Sequence, residues 1–191
     1  MKETRDIANE YEILCLANDG VFSYENIKKC DEAAQLIKEA SIVLFVSNGG
    51  SNCSCGLHIE EDLVKVANKR ALSMSNPGLI SCMSNDYGWE QAQVEWLKRF
   101  LEPKALLIAI SSSGNSPNIL NAVEYTNQRS FEVGGDGYGV ITFSAHNLDN
   151  KLMRLPADIK FHLPTYSYGA AEIYHSLWLH LILDRVVELS K

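Results

Sequence analysis

The sequence predicts a three-layer α/β fold: a mostly parallel five-stranded sheet flanked by helices, in a flavodoxin-like arrangement. Three observations carry this expectation. Residues 42–46 and 105–110 are short, unbroken apolar runs, the pattern of strands buried on both faces. Between and around them lie longer stretches whose apolar residues recur every three or four positions, as on amphipathic helices. Alternation of the two patterns is what strand–helix–strand units under a helical cover produce.

Taken in order, residues 6–17 and 24–40 read as two helices separated by the turn-forming Asn18-Asp19-Gly20. The period then changes. Residues 41–47 form a strand closed by Asn48-Gly49-Gly50, and 53–66 return to helical spacing. A short strand follows at 71–75, a helical segment near 78–83, a loop at Asn85-Asp86-Tyr87-Gly88, and an amphipathic helix over 89–101. The next buried strand, 105–110, ends in Ser111-Ser-Ser-Gly-Asn-Ser116, and Pro117 occupies the first turn of a helix running to about residue 128. Residues 138–144 and 159–163 supply the last strands, and 169–189 a long closing helix. Gly134-Gly-Asp-Gly-Tyr-Gly139 precedes a strand instead of following one and reads as a turn.

Composition bounds the function. The chain has 191 residues, 46% hydrophobic and 21% charged, which suits a single globular domain, with helices in 1–40 and an α/β core in 41–191. No apolar run approaches the ~20 residues of a membrane span, so no membrane partner is expected. The charged opening Met1-Lys-Glu-Thr-Arg-Asp6 leads into no apolar signal core, which points to a cytoplasmic protein. Net charge is −7, and the basic residues cluster only as pairs such as Lys28-Lys29, Lys69-Arg70 and Lys98-Arg99, so nucleic acid is not an expected partner. The five cysteines are odd in number, and Cys53 and Cys55 lack CxxC spacing; they read as free thiols of a reducing compartment.

The chemistry lies in two loops. Ser47-Asn48-Gly49-Gly50-Ser51 and Ser111-Ser112-Ser113-Gly114-Asn115-Ser116 each join a buried strand to a helix. In open α/β sheets ligands bind outside the carboxyl ends of the strands. Glycine lets backbone N–H groups approach an anion, the helix N-terminus adds partial positive charge, and serine hydroxyls add neutral donors. Such loops form a phosphate cradle without lysine, which fits an acidic chain. Neither GxxxxGK[ST] nor GxGxxG is present, which disfavours nucleotides.

Three segments, Asn48-Gly49-Gly50-Ser51, Ser84-Asn85-Asp86-Tyr87-Gly88 and Ile110-Ser-Ser-Ser-Gly-Asn-Ser-Pro-Asn118, carry a resemblance to the sugar isomerase (SIS) domain family, within it to the bacterial phosphoheptose isomerases. The final helix, from Glu172 through His175 to His180, echoes it more weakly. The resemblance implies an aldose–ketose isomerase that converts sedoheptulose 7-phosphate into glycero-manno-heptose 7-phosphate through an enediol. It also implies a homotetramer whose N-terminal helices pack between subunits and whose active sites are shared. It assigns Glu61 as base and His180 as its acid partner, and gives the phosphate to Ser51, Ser111, Ser112, Ser113 and Ser116. Asn48 and Asp86 match sugar-contacting positions, Gly49 and Gly50 belong to the first phosphate loop, and Lys65 falls where the family has a phosphate-contacting arginine.

The chain departs from the family pattern in three places. The family's histidine four residues before its glutamate corresponds to Leu57, with His58 about 100° away on a helix. Glu172 replaces a glutamine of the last helix, and Gly169 an aspartate just before it. No cofactor is required by this reading. Zinc stays open, with Glu61, Glu172 and His180 as candidate ligands, a three-ligand set with a free position. The stretch 128–139 is a few residues longer than usual. Two alternatives stay open: a non-catalytic SIS sugar-phosphate sensor or oligomeric adaptor, and an isomerase of another phosphosugar.

Overall fold

The computed structural model describes residues 4–16, 20–133 and 137–191. Five strands form one parallel sheet: β1 (Val43–Val46), β2 (Ala71–Ser73), β3 (Leu106–Ser111), β4 (Gly139–Ala145) and β5 (Ile159–Leu163), in the order β2-β1-β3-β4-β5. Helices α1 (Thr4–Leu16) and α2 (Tyr24–Glu39) precede the sheet. Between β1 and β2 runs a helical stretch of three parts: α3 (Gly49–Ser51), a π-helical turn (Asn52–Leu57) and α4 (His58–Lys65). Then come α5 (Pro77–Tyr87), α6 (Trp89–Phe100), α7 (Pro117–Val133), the short α8 (Lys151–Arg154) and α9 (Tyr168–Leu189).

The sheet buries both faces, and the side-chain alternation of its strands divides the core in two. Val43 and Phe45 of β1 with Leu106, Ile108 and Ile110 of β3 pack on the side of α2, α4 and α9, around Ile37, Ile59, Leu63 and Trp178. Leu44 and Val46 with Leu107 and Ala109 face α5, α6 and α7, against Trp96, Leu97, Ile119 and Val123. The Trp178 indole N–H donates to the Val21 carbonyl at 2.9 Å, tying α9 to the segment before α2.

Three boundaries differ from expectation. Asn85, Asp86 and Tyr87 are the last turn of α5 and not a loop; Gly88 ends it at φ +79°, where its N–H still donates to the Ser84 carbonyl. Asn and Asp favour turns and helix ends alike, so composition alone does not separate the two. Helix α7 continues to Val133, so the first part of the 128–139 stretch is helix. Of the expected glycine turn, Gly134, Gly135 and Asp136 lie outside the described residues, and Gly139 already belongs to β4.

Strand order fixes where a ligand sits. Chain direction across the sheet reverses between β1 and β3, adjacent strands with Val46 level with Ala109. At such a switch point the loops leaving the two strands diverge and leave a crevice at the carboxyl edge. Both serine- and glycine-rich loops leave from there.

Candidate active site

The first loop turns at Gly49. Asn48 is still extended at φ −126°, and Gly49 takes φ +53°, a left-handed conformation open to glycine at little steric cost. Gly50 is needed for a different reason: a Cβ there would fall 2.3 Å from the Glu172 carboxylate, so its bareness lets α9 approach the loop. In the second loop Gly114 stands at φ +64°, and its Cβ would lie 2.0 Å from Asn150 Oδ1. Ser111 and Ser112 are buried, and the Ser111 hydroxyl donates to that of Ser116 at 3.1 Å.

The two loops line one cavity of about 280 Å³. Its wall contains Asn48, Gly49, Gly50, Ser51, Ser111, Ser112, Ser113 and Ser116, together with Ile110, Tyr168 and Glu172. All the serines assigned to phosphate are therefore brought together, and among the described residues no lysine or arginine lines the cavity. An anion there would meet hydroxyls and backbone N–H groups, whose preorganised dipoles need no neutralising cation. Among the described residues lining it, Glu172 is the only charged one; a carboxylate suits sugar hydroxyl groups, not the phosphate.

Asn118, which no sequence argument singled out, links the loops. Its amide nitrogen donates to Asn48 Oδ1 at 2.7 Å, and the Asn48 amide returns a bond to Asn118 Oδ1 at 3.0 Å. Asn118 is buried on α7, so this amide pair holds the β1 loop against the start of that helix. The asparagine closes the Ile110–Asn118 segment; the signal was present, but its partner was visible only in space. A second cavity of about 220 Å³ shares Asn48 and Gly49 with the first, and Met74, Ile80 and Trp89 make it less polar.

Beside α9 the structure assembles His58, Asp62 and His180, whose ligand atoms all lie within 4.8 Å of one another. His58 Nε2 is 3.1 Å from His180 Nε2 and 3.6 Å from Asp62 Oδ2. This corrects the expected pairing. Glu61 is exposed and makes no hydrogen bond or ion pair with His180; Asp62, one residue on, takes that place. Likewise His58, and not Leu57, is the histidine at the site. The physical reason is the π-helical turn at Asn52–Leu57, which rotates everything after it relative to an uninterrupted α-helix. The expected metal set of Glu61, Glu172 and His180 is not assembled either. Glu172 and His180 are eight residues apart on α9, about 12 Å along its axis, too far for one ion within one chain.

The three residues that do converge fit a zinc ion. The His180 Nδ1–H donates to the Ser176 carbonyl at 2.7 Å, which leaves Nε2 with its lone pair facing the cluster. Two ligand atoms each about 2.0–2.1 Å from one tetrahedral zinc stand roughly 3.3 Å apart, close to the 3.1 Å between the imidazoles. Two histidines and a carboxylate with a free position make a familiar catalytic donor set.

Other candidates fall outside both groups. Lys65 is the exposed last residue of α4, fifteen residues beyond Gly50 and so about 22 Å along the helix; it does not reach the cradle of its own chain. Asp86 is exposed on α5, accepts a bond from the Asn85 amide at 2.9 Å and does not line the cavity. Glu60, of the same acidic run as Glu61, accepts from the Ser73 N–H at 2.8 Å and from the Ser73 hydroxyl, pinning α4 to β2. His175 is wholly buried and donates Nε2–H to the Ser144 carbonyl at 3.0 Å; burial pushes its pKa down to about 4, so it is a neutral core residue.

A parallel α/β sheet with a hydroxyl-lined cavity at its switch point is the architecture expected of the SIS class, and the relatives of this chain fall in that class. No protein-family model matches the chain. It is 30% identical over 166 residues to the phosphoheptose isomerase of Fusobacterium nucleatum, a match covering 85% of this chain and 81% of that one. Among solved structures, a phosphoheptose isomerase from Francisella tularensis has the same fold with a TM-score of 0.80 at 21% identity, over 98% of this chain and 100% of the other. That of Neisseria gonorrhoeae gives a TM-score of 0.79 at 18% identity, over 95% and 98%. The chain belongs to the phosphoheptose isomerase family.

Proposed function

We propose that this chain interconverts sedoheptulose 7-phosphate and glycero-manno-heptose 7-phosphate through an enediol, as a cytoplasmic homotetramer. Membership of the isomerase family supports the reaction, and the observation that carries the substrate class is the single cavity into which both hydroxyl-rich loops open. The phosphate sits among Ser51, Ser111, Ser112, Ser113 and Ser116, and Glu172 and Asn48 take sugar hydroxyl groups.

Isomerisation moves a proton between C1 and C2 and shifts another between the two oxygens. Asp62 accepts the carbon-bound proton and returns it to the neighbouring carbon. His180, whose Nδ1 is committed to the Ser176 carbonyl, handles the oxygen-bound proton at Nε2, and His58 sits against both. If zinc is held there instead, by His58, Asp62 and His180, it would take the His180 Nε2 lone pair and supply Lewis-acid polarisation of the substrate's carbonyl oxygen in place of that proton relay.

Within one chain the cradle and this cluster stand apart, Gly50 to His58 and Glu172 to His180 each spanning eight helical residues. Sharing of sites between subunits joins them. Apolar residues left exposed on the N-terminal helices and at the end of α4, among them Ile13, Leu16, Ile27, Val64 and the capping Val66, support packing between copies. No helix among the described residues is long and apolar enough to cross a membrane.

The deciding experiment is a turnover assay with sedoheptulose 7-phosphate, with and without added zinc, reading the aldose product by NMR. Conversion is expected. Folded protein that converts nothing under either condition refutes the reading, and a monomer by light scattering refutes the shared site.

A further inference from the structure

We infer that Cys53 is a thiol-modification site: it exchanges with small disulfides whose retained half carries a hydrogen-bond donor and lodges in the adjoining cavity against Gln93. The site is separate from the isomerase chemistry and does not depend on which sugar phosphate the cradle holds.

The cavity is the less polar one beside the cradle, about 220 Å³ in volume. Met74, Ile80, Trp89 and Ala92 give it apolar walls, and the exposed Cys53, on the π-helical turn, stands at its mouth. Asn48 and Gly49 line both cavities, so an occupant of the second lies against the loop that shapes the first.

Gln93 on α6 defines the chemistry the cavity accepts. It lines the cavity and is only 5% exposed. Its Nε2 donates to the Ser47 carbonyl at 3.1 Å. A carbonyl oxygen can only accept, so the amide cannot be turned round, and Oε1 is directed away from Ser47. That oxygen is buried and accepts no hydrogen bond. Buried amide oxygens nearly always have a donor, and covering one without a donor is costly. The neighbouring polar groups are otherwise engaged: the Ser47 hydroxyl donates to Asn52 Oδ1 at 2.9 Å, and the Asn48 and Asn118 amides bond each other. The cavity therefore suits a small, mostly apolar group with one N–H or O–H to give to Gln93.

Cys53 supplies the anchor. Its thiolate attacks one sulfur of a disulfide RS–SR; an Sγ–S bond forms, the old S–S bond breaks, and the departing thiolate takes up the proton that Cys53 released. The disulfide is itself the oxidant. When R is 2-hydroxyethyl, the retained hydroxyl stands about 5 Å beyond Sγ if extended. A hydrogen bond of about 2.8 Å from there spans a cavity that, if round, is about 7.5 Å across.

The test compares two probes on the full-length protein: bis(2-hydroxyethyl) disulfide and dipropyl disulfide, which differ by a hydroxyl against a methyl group. Each is equilibrated with the protein in a buffer of the disulfide and its own thiol, and peptide mass spectrometry reads the modified fraction of every cysteine. Cys82, exposed on α5 and lining neither cavity, reports each probe's reaction with an ordinary surface thiol. The Cys53-to-Cys82 ratio of exchange constants should be about fivefold or more greater for the hydroxyl probe. Gln93→Met, with circular dichroism and the melting temperature reporting its fold, should bring the two ratios within about twofold of each other.

Equal ratios for the two probes in the parent would make Cys53 an ordinary surface thiol and overturn the inference. So would a parent in which Cys53 takes neither probe, or a folded Gln93→Met that keeps the preference for the hydroxyl. The two probes on the parent decide the matter even if Gln93→Met does not fold. A parent that shows the preference and converts no heptose phosphate would refute the proposed function and leave this site standing.

Discussion

His58 and His180 meet through their Nε2 atoms at 3.1 Å, across two helices and 122 positions of sequence. Because His180 gives its Nδ1 proton to the Ser176 carbonyl, its Nε2 can only accept while the ring is neutral. His58 must then donate to it, or both nitrogens must turn to a common cation. Either way the pair has a use for a neighbouring carboxylate, and Asp62 is the one in place.

Asp62→Asn and His180→Ala should therefore lower kcat by about 10²–10⁴-fold, the range for loss of a positioned acid or base, with a smaller effect on KM. Glu61→Gln should stay within about threefold of the parent, since its side chain is exposed and makes no hydrogen bond or ion pair with His180. Steady-state kinetics on the three variants checks this. The assignment fails if Glu61→Gln is the slow one.

Removal of a hydroxyl from the cradle should act on binding. Ser113→Ala and Ser116→Ala each delete one donor to an anion, worth roughly 1–2 kcal/mol, so KM should rise about five- to thirtyfold with kcat little changed. Unchanged KM in both would remove the phosphate from this cavity.

Gly114→Ala should destabilise the fold as well as the site. Its φ of +64° costs an L-residue about 1–2 kcal/mol, before the Cβ meets Asn150 at 2.0 Å. Asn150 also caps α8 through the Met153 N–H and donates to the Asn147 carbonyl, so it cannot move away cheaply. A fall in melting temperature of about 4 °C or more is expected for a chain of this size. A Tm equal to the parent's would mean the loop relaxes freely.

Acid should weaken the fold through His175. Burial pushes its pKa down to about 4, against about 6.5 in an unfolded chain. Between those values the unfolded state holds the extra proton, so the histidine's contribution is complete above about pH 6.5 and is lost as pH falls toward 4, by up to roughly 3 kcal/mol. His162, also lowered by burial, acts in the same direction. Urea unfolding at pH 7 and pH 4.5 measures the loss, and His175→Gln, which does not titrate, should show a shallower one. Equal stability at the two pH values in the parent would contradict a neutral buried imidazole.

Burial should also silence two of the thiols. It pushes Cys30 up to about 12 and Cys55 up to about 11, so neither forms thiolate near neutrality. Mass spectrometry after mild alkylation should find both unmodified in native protein and modified after unfolding. Labelling of either in the native state would refute the packing described around it.

Much of this molecule was written in one dimension. Strands 42–46 and 105–110 are legible because a strand covered on both faces needs an unbroken apolar run, and glycine and serine after them mark the loops proposed to cradle phosphate because few residue types let backbone N–H groups come close to a ligand. All five serines assigned to phosphate do line one cavity. Those signals are local: each depends on its own residues and their immediate neighbours. Tertiary structure decided the rest. Whether Glu61 or Asp62 meets His180 depends on the angle of one helix against another, and a single π-helical turn changes that angle by about 100°. The bond between Asn48 and Asn118 joins residues 70 positions apart, and Gly50 is required only because Glu172 arrives from the far end of the chain. Residue types and periods can be read along a sequence, but a contact between distant segments exists only once packing has set their register.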